Sequence, residues 1–264
     1  AARASLHYWE EPCISGTSGS GTVFFSGCNL RCVFCQNHNI ALGKAGRVIA
    51  PEHLAEIFLQ LQEQGANNIN LVTPTHFLPQ IVIALEQAKQ QGLHLPIVYN
   101  TGSYESPEAL RHLEGLVDIY LPDLKYFSPE LSTAYSHAPD YFETACAAIS
   151  EMYRQVGDSV IDEDTGLMQH GMIVRHLLLP GQTKDSKKIL RYLHETYGDH
   201  IYISIMNQYT PLPQVADIEV LNRTVTPEEY DRVLRFAERI GIERGFRQEG
   251  TAASESFIPE FDER

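Results

Sequence analysis

Along the chain, short runs dense in β-branched and aromatic residues alternate with runs whose apolar positions recur every three to four residues. Residues 22–27, "TVFFSG", read as a strand stopped by glycine. Residues 51–65, "PEHLAEIFLQLQEQG", read as a helix: Leu54, Ile57, Phe58 and Leu61 share one face, Pro51 suits the first turn and Gly65 the C-terminal cap. The alternation then repeats. Strands are predicted at 68–74, 95–102, 117–125, 172–181 and 201–209, and helices at 77–92, 106–115, 139–157, 185–198 and 226–241. A last short strand is expected within 244–250.

Six β-α units in sequence argue for a parallel sheet with right-handed helical crossovers. Runs such as "IVRHLLLP" and "LVTP" are apolar at nearly every position, as strands covered on both faces should be. The expected fold class is α/β, a partial (β/α)6 TIM-like barrel of parallel strands with outer helices; a doubly wound sheet has the same local pattern. One domain over residues 1–264 is expected, with its core at about 20–250, an N-terminal extension and a C-terminal tail. In the tail, Phe257, Ile258 and Phe261 form an apolar element expected to pack across the barrel. Either fold puts the ligand site at the C-terminal ends of the strands.

Composition narrows the partners. The chain has 20 basic and 34 acidic residues and a net charge of −14, which disfavours a broad nucleic-acid or anionic-membrane surface. No apolar run reaches the ~18 residues of a bilayer span and no secretory signal pattern opens the chain, so the expected location is the cytoplasm. A monomer is expected. Thiols stay reduced there, and clustered cysteines bind metals or do redox work.

Three of the five cysteines, Cys28, Cys32 and Cys35, lie within eight residues directly after the first strand. Core packing does not explain that clustering, because Gly27 and Asn29 favour a turn and Asn37, His38 and Asn39 extend a loop. A structural zinc site would need a fourth ligand, for which His38 is available, but its usual second knuckle is missing. Ordinary four-cysteine iron–sulfur clusters saturate every iron. Three thiolates leave one iron open, which suits chemistry rather than electron transfer alone.

"C28-N-L-R-C32-V-F-C35" matches the C-x3-C-x2-C signature of radical S-adenosylmethionine (SAM) enzymes, with Phe34 as the aromatic before the last cysteine. Over about residues 20–250 the chain most resembles the pyruvate formate-lyase activating enzyme-like branch, which activates glycyl radical enzymes. The resemblance implies that Cys28, Cys32 and Cys35 hold a single [4Fe–4S] cluster whose fourth iron is chelated by SAM. It implies reductive cleavage of SAM to methionine and a 5′-deoxyadenosyl radical that abstracts hydrogen from a substrate. Phe34 is placed beside the adenine, or is a plain core aromatic.

The family's Gly-Gly-Glu stretch after the second strand is replaced here by "VTPTH", leaving Thr73 and Thr75 as polar candidates without a carboxylate. After the third strand come Asn100 and Thr101. After the fourth, Asp123 and Lys125 share one face by the two-residue period of a strand, so Lys125 can reach the SAM carboxylate while Asp123 holds the lysine or a cation. Relatives among the activating enzymes bind a monovalent cation around these strand ends, which makes Asp123, Asn100 and Thr101 its candidate ligands. Arg175 and His176 alternate faces, so one of them is expected to reach SAM; Asn207 and Gln208 are placed at its ribose. Cys146 reads as a core residue, and Cys13 as structural or as a thiol near the site.

The expected partners are a reductant such as flavodoxin or ferredoxin and a glycyl radical enzyme. The alternative substrate is a small molecule or peptide, for which His76, Tyr104, Tyr126 and Tyr209 would line a private pocket. A non-catalytic iron–sulfur protein is the third reading, disfavoured by the open iron.

Overall fold

A computed structural model describes residues 1–247; Phe257, Ile258 and Phe261 of the tail lie outside the described residues. The chain opens with β1 (Arg3–His7) and one helical turn, α1 (Pro12–Ser15), before β2 (Ser20–Phe24), the first strand of the repeating pattern. After β2 come α2 (His38–Ala41) and α3 (Pro51–Glu63), then β3 (Ile69–Val72) with α4 (Leu78–Gln90), and β4 (Ile97–Thr101) with the short α5 (Pro107–Leu110). Next are β5 (Ile119–Pro122), α6 (Pro129–Ser136) and α7 (Tyr141–Val156). The hairpin of β6 (Val160–Ile161) and β7 (Met168–Leu177) leads to α8 (Thr183–Tyr197), β8 (Tyr202–Met206), α9 (Pro227–Ile240) and β9 (Gly245–Arg247).

The strand order is β1-β2-β3-β4-β5-β7-β8-β9, with β2 to β5 and β7 to β9 running parallel and β1 antiparallel on the edge of β2. A doubly wound sheet reverses its strand order at a switch point. This order never reverses, so the sheet is singly wound and curls into the partial (β/α)6 barrel, with helices on its outside.

The pairing register sorts side chains by face. Val23, Leu71, Tyr99, Tyr120, Met172 and Val174 point outward into one large core with the helices. Val98, Ile119, Leu121 and Ile173 point inward, where Cys13 and Ile14 of α1 close an apolar floor. Both faces are therefore dry, which is why the strands read as unbroken apolar runs.

Helix ends follow their local chemistry. Thr226 caps α9 by accepting from the Glu229 N–H at 3.2 Å, while the Glu229 carboxylate accepts from the Thr226 N–H at 3.0 Å, a complete capping box. Gly65 takes φ +84° just past α3, a left-handed turn that any side chain would strain. No helix among the described residues is long and apolar enough to cross a membrane.

Candidate active site

The C-terminal strand ends enclose a cavity of about 260 Å³. Cys28, Cys32 and Cys35 all line it, on a loop that crosses the barrel mouth. That loop is pinned at several points. Gly27 turns at φ +100° and its N–H donates to the Ile40 carbonyl at 2.8 Å; the Val33 N–H donates to the Tyr135 carbonyl at 2.9 Å. Asn29 Nδ2 donates to the Tyr104 carbonyl at 2.6 Å, and Gln36 Nε2 to the Gln208 carbonyl at 3.1 Å. The loop is thus tied to elements that follow β4, β5 and β8, which fixes it over the strand ends.

Each thiol of the trio is unpaired in a disulfide. Burial pushes the Cys35 thiol up to about 12 and raises Cys32 as well. Buried thiols of this kind stay protonated until a metal displaces the proton. Cys32 Sγ accepts from Ser136 Oγ at 2.9 Å, and Ser136 Oγ accepts from Tyr126 OH at 2.6 Å, so a hydroxyl relay from α6 already orients one sulfur. Phe34 is buried edge-on against Tyr126 and Tyr209, its centroid 6.4 Å and 6.0 Å from theirs, and lines the cavity.

Opposite the cysteines lies a charged network. Lys125 Nζ donates to Asp123 Oδ2 at 2.6 Å, spending one of its three N–H donors. Arg175 Nε donates to Asp123 Oδ1 at 3.1 Å, Nη2 to Asn100 Oδ1 at 2.7 Å and Nη1 to Glu10 Oε2 at 2.9 Å. Burial alone would raise the Asp123 carboxyl, but Lys125 and Arg175 outweigh it and hold the group below the usual carboxylate range. Burial would lower the Lys125 ammonium; the Asp123 carboxylate outweighs that too, so Lys125 stays charged. Asp123, Lys125, Arg175 and Asn100 all line the cavity, as do Thr73 and Thr101.

Three placements differ from the sequence expectations. His176 is on the outer face: Nδ1–H donates to the Leu124 carbonyl at 2.8 Å and Nε2 accepts from Ser186 at 2.8 Å, so of the Arg175–His176 pair only Arg175 reaches the cavity. Thr75 turns away, and its hydroxyl serves the buried Glu105 carboxyl together with Tyr99 OH (2.6 Å) and Thr101 Oγ1. Asn207 lies outside the cavity wall, where Gln208 stands instead. The oxygens expected to hold a monovalent cation are taken as well: Arg175 and Lys125 occupy Asn100 and Asp123, and the Thr101 hydroxyl donates to Glu105.

Other contributors gave no sequence signal. Glu10 comes from the N-terminal segment, where the Glu10–Glu11 pair after an exposed Trp9 carries no pattern. Tyr141 sits at the start of α7 and reads as a core aromatic. Its hydroxyl accepts from the Lys125 N–H at 3.0 Å and lies 3.0 Å and 2.9 Å from the Gly102 and Asp123 carbonyls, tying two strand-end loops together. Cys13 is buried in the barrel floor, and Cys146 is half-buried against the outer core.

The model of the radical SAM superfamily matches residues 22–193, a span that holds the cysteine loop and the strand ends through Arg175. The chain belongs to the radical SAM superfamily. It is 27% identical over 234 residues to an uncharacterized protein of Methanocaldococcus jannaschii, covering 85% of this chain and 63% of that one. It is 29% identical over 121 residues to the pyruvate formate-lyase-activating enzyme of Clostridium pasteurianum, covering 43% of this chain and 48% of that one. The chain thus spans about half to two thirds of the length of these curated relatives. The crystal structure of methylornithine synthase superposes with a TM-score of 0.60 at 14% identity, over 92% of this chain and 77% of that one, a likeness of fold.

Radical SAM enzymes use a [4Fe–4S] cluster and SAM, and the donor set here fits both. Cys28, Cys32 and Cys35 face one cavity, and among the described residues no three His, Cys, Asp or Glu side chains converge as a single metal ion would require. A cubane instead spreads its cysteine ligands over separate irons. Across the cavity, Lys125 retains N–H donors for a carboxylate. For a monovalent metal ion the donor set does not fit.

Proposed function

We propose that this radical SAM enzyme is an activase: it abstracts a hydrogen atom from a glycine of a partner protein, taking its electron from a flavodoxin or ferredoxin. When bound, the cluster and SAM supply a 5′-deoxyadenosyl radical. The protein's share is positioning. Cys28, Cys32 and Cys35 hold the cluster, and the Ser136 hydroxyl donates to Cys32. Lys125, kept charged by Asp123, binds the SAM carboxylate, and Phe34 offers its ring to the adenine. The single observation that carries the activase reading is the 29% identity to the pyruvate formate-lyase-activating enzyme.

A second reading, hydrogen abstraction from a small molecule or peptide, is favoured by the N-terminal segment. It brings His7, Trp9 and Glu10 into the cavity wall and shapes the cavity with residues that precede the match to the superfamily. Deuterium transfer separates the two. With a candidate glycyl radical enzyme carrying α-deuterated glycine, the activase reading expects label in 5′-deoxyadenosine and a glycyl signal by electron paramagnetic resonance. Label arriving only from a deuterated metabolite pool would replace it with the second reading.

A further inference from the structure

The strand ends carry a cation of their own. Asn100 and Asp123 are the oxygens on which a monovalent metal ion was expected, and Arg175 donates to both, at 2.7 Å and 3.1 Å. Glu10 closes the third side at 2.9 Å. The side chains of Arg175, Glu10 and Asp123 are 14%, 10% and 18% exposed, so this is a built interior group and not a surface pair. We infer that the Arg175 guanidinium is the resident cation of this site and stands in for a free monovalent ion, so that the site needs no potassium or sodium.

The neighbours are arranged for a fixed guanidinium. The Asn100 amide uses both ends, its oxygen accepting from Arg175 and its Nδ2 donating to Glu10 Oε1 at 3.3 Å; an aspartate there would meet Glu10 as a like charge. Asn70 Nδ2 donates to the same Glu10 oxygen at 3.0 Å, which orients the carboxylate toward Arg175. Asp123 divides its two oxygens between Arg175 and Lys125, and Glu10 takes a further Arg175 N–H, so both hydrogen-bonded acids are already committed to fixed cations; the buried Glu11 adds a third acid facing Arg175. The Thr101 carbonyl accepts from the Asp123 N–H at 2.8 Å, and its hydroxyl belongs to Glu105. A metal ion at these oxygens would face two fixed positive charges and would have to part Asp123 from them. Arginine stays protonated at any working pH, so the charge is permanent.

The site is also assembled from a distance. Glu10 precedes β2 and belongs to the segment that forms α1 and the barrel floor, so the N-terminal segment and β7 jointly hold the cation.

Two readouts test this, one free of the cluster. The cluster-free wild-type protein is melted in choline, sodium and potassium chloride at equal ionic strength; the expected midpoints agree within about a degree, because an ion that bound only the folded state would raise them. A saturable rise in potassium or sodium over choline would overturn the inference. Arg175→Met is expected to melt lower in choline and to recover part of the loss in potassium or sodium. Arg175→Lys, which returns a cation, is expected to lose that salt response. A folded Arg175→Met that ignores the salt cation would contradict the exchange of one cation for another. If it folds in no salt, the wild-type arms decide.

SAM binding to the reconstituted wild type, measured by equilibrium dialysis, is expected to change less than about twofold between choline and potassium, whereas tightening of about tenfold in potassium would overturn the inference. This arm rests on the proposed function. SAM that binds in neither salt would refute that reading instead, and the melting arm would still decide the cation.

Discussion

Arg175 and His176 are adjacent on β7, and they belong to different regions of the molecule. Arg175 points into the barrel, where charge is kept and paired: three oxygens from three separate stretches of chain surround the guanidinium at the cavity wall. His176 points out among the helices, where burial holds it neutral and pushes its pKa down to about 4. The difference teaches that one strand can build chemistry on its inner face and stability on its outer face, one residue apart. Damage to the inner face should cost function first, and damage to the outer face stability alone.

The largest effect falls on the cysteine loop. Cys28→Ala, Cys32→Ala and Cys35→Ala are each expected to abolish cluster incorporation, read as bound iron and sulfide and as visible absorbance. Cys146→Ala, packed on the outer side, should leave the iron content unchanged. Equal iron in a loop variant and the wild type would erase the contrast between the faces.

Next in size is the network around Arg175. Glu10→Ala leaves the guanidinium short of one buried anionic partner, and breaking a buried pair costs about 3–5 kcal/mol. Urea unfolding should show that loss as a lower midpoint with an unchanged slope. A variant as stable as the wild type would mean that Asp123 and Asn100 hold Arg175 unaided.

His176 sharpens the outer half. Its pKa lies near 4 in the folded chain, against about 6.5 unfolded, so the unfolded chain takes up the proton first as pH falls. The stabilisation is complete above about pH 6.5 and is lost progressively toward pH 4, about 3 kcal/mol in all. His176→Gln should flatten that limb of the stability–pH curve, while SAM binding per folded molecule is retained. An unchanged acid limb would place the titration elsewhere.

The smallest expected effect is at the cap of α9, far from the cavity wall. Thr226→Ala removes one half of the capping box and should cost about 1 kcal/mol in chemical denaturation, with iron content unaltered.

How much of this was legible depended on whether a residue repeats a pattern. The repeating strands and the helices between them announced themselves because two dry faces demand near-continuous apolar runs and a one-sided helix demands a stripe. β1, "RASLH", has neither, and its partner β2 lies beyond α1, so only tertiary pairing makes it a strand. α6, "PELSTAYS", lacks a stripe and still supplies Ser136 to Cys32. The strand predicted at 172–181 is Met168–Leu177 because its polar start pairs with β6 in a hairpin that periodicity does not mark. At the site, the cysteine spacing and Asp-x-Lys were readable, since both are local geometry. The face of Arg175 against His176 followed from the two-residue period only once the register was known. Glu10 and Tyr141 were invisible because each acts on residues far along the chain, and no spacing encodes that meeting; Glu105 lies only four and six residues from Thr101 and Tyr99, but a strand followed by a loop has no fixed period that would mark the contact.

The most direct measurement is 5′-deoxyadenosine formed from SAM by anaerobically reconstituted protein with dithionite. The account predicts production by the wild type and by Cys146→Ala, and none by Cys28→Ala, Cys32→Ala or Cys35→Ala. Wild-type protein that carries a full cluster and binds SAM yet forms no 5′-deoxyadenosine would contradict it.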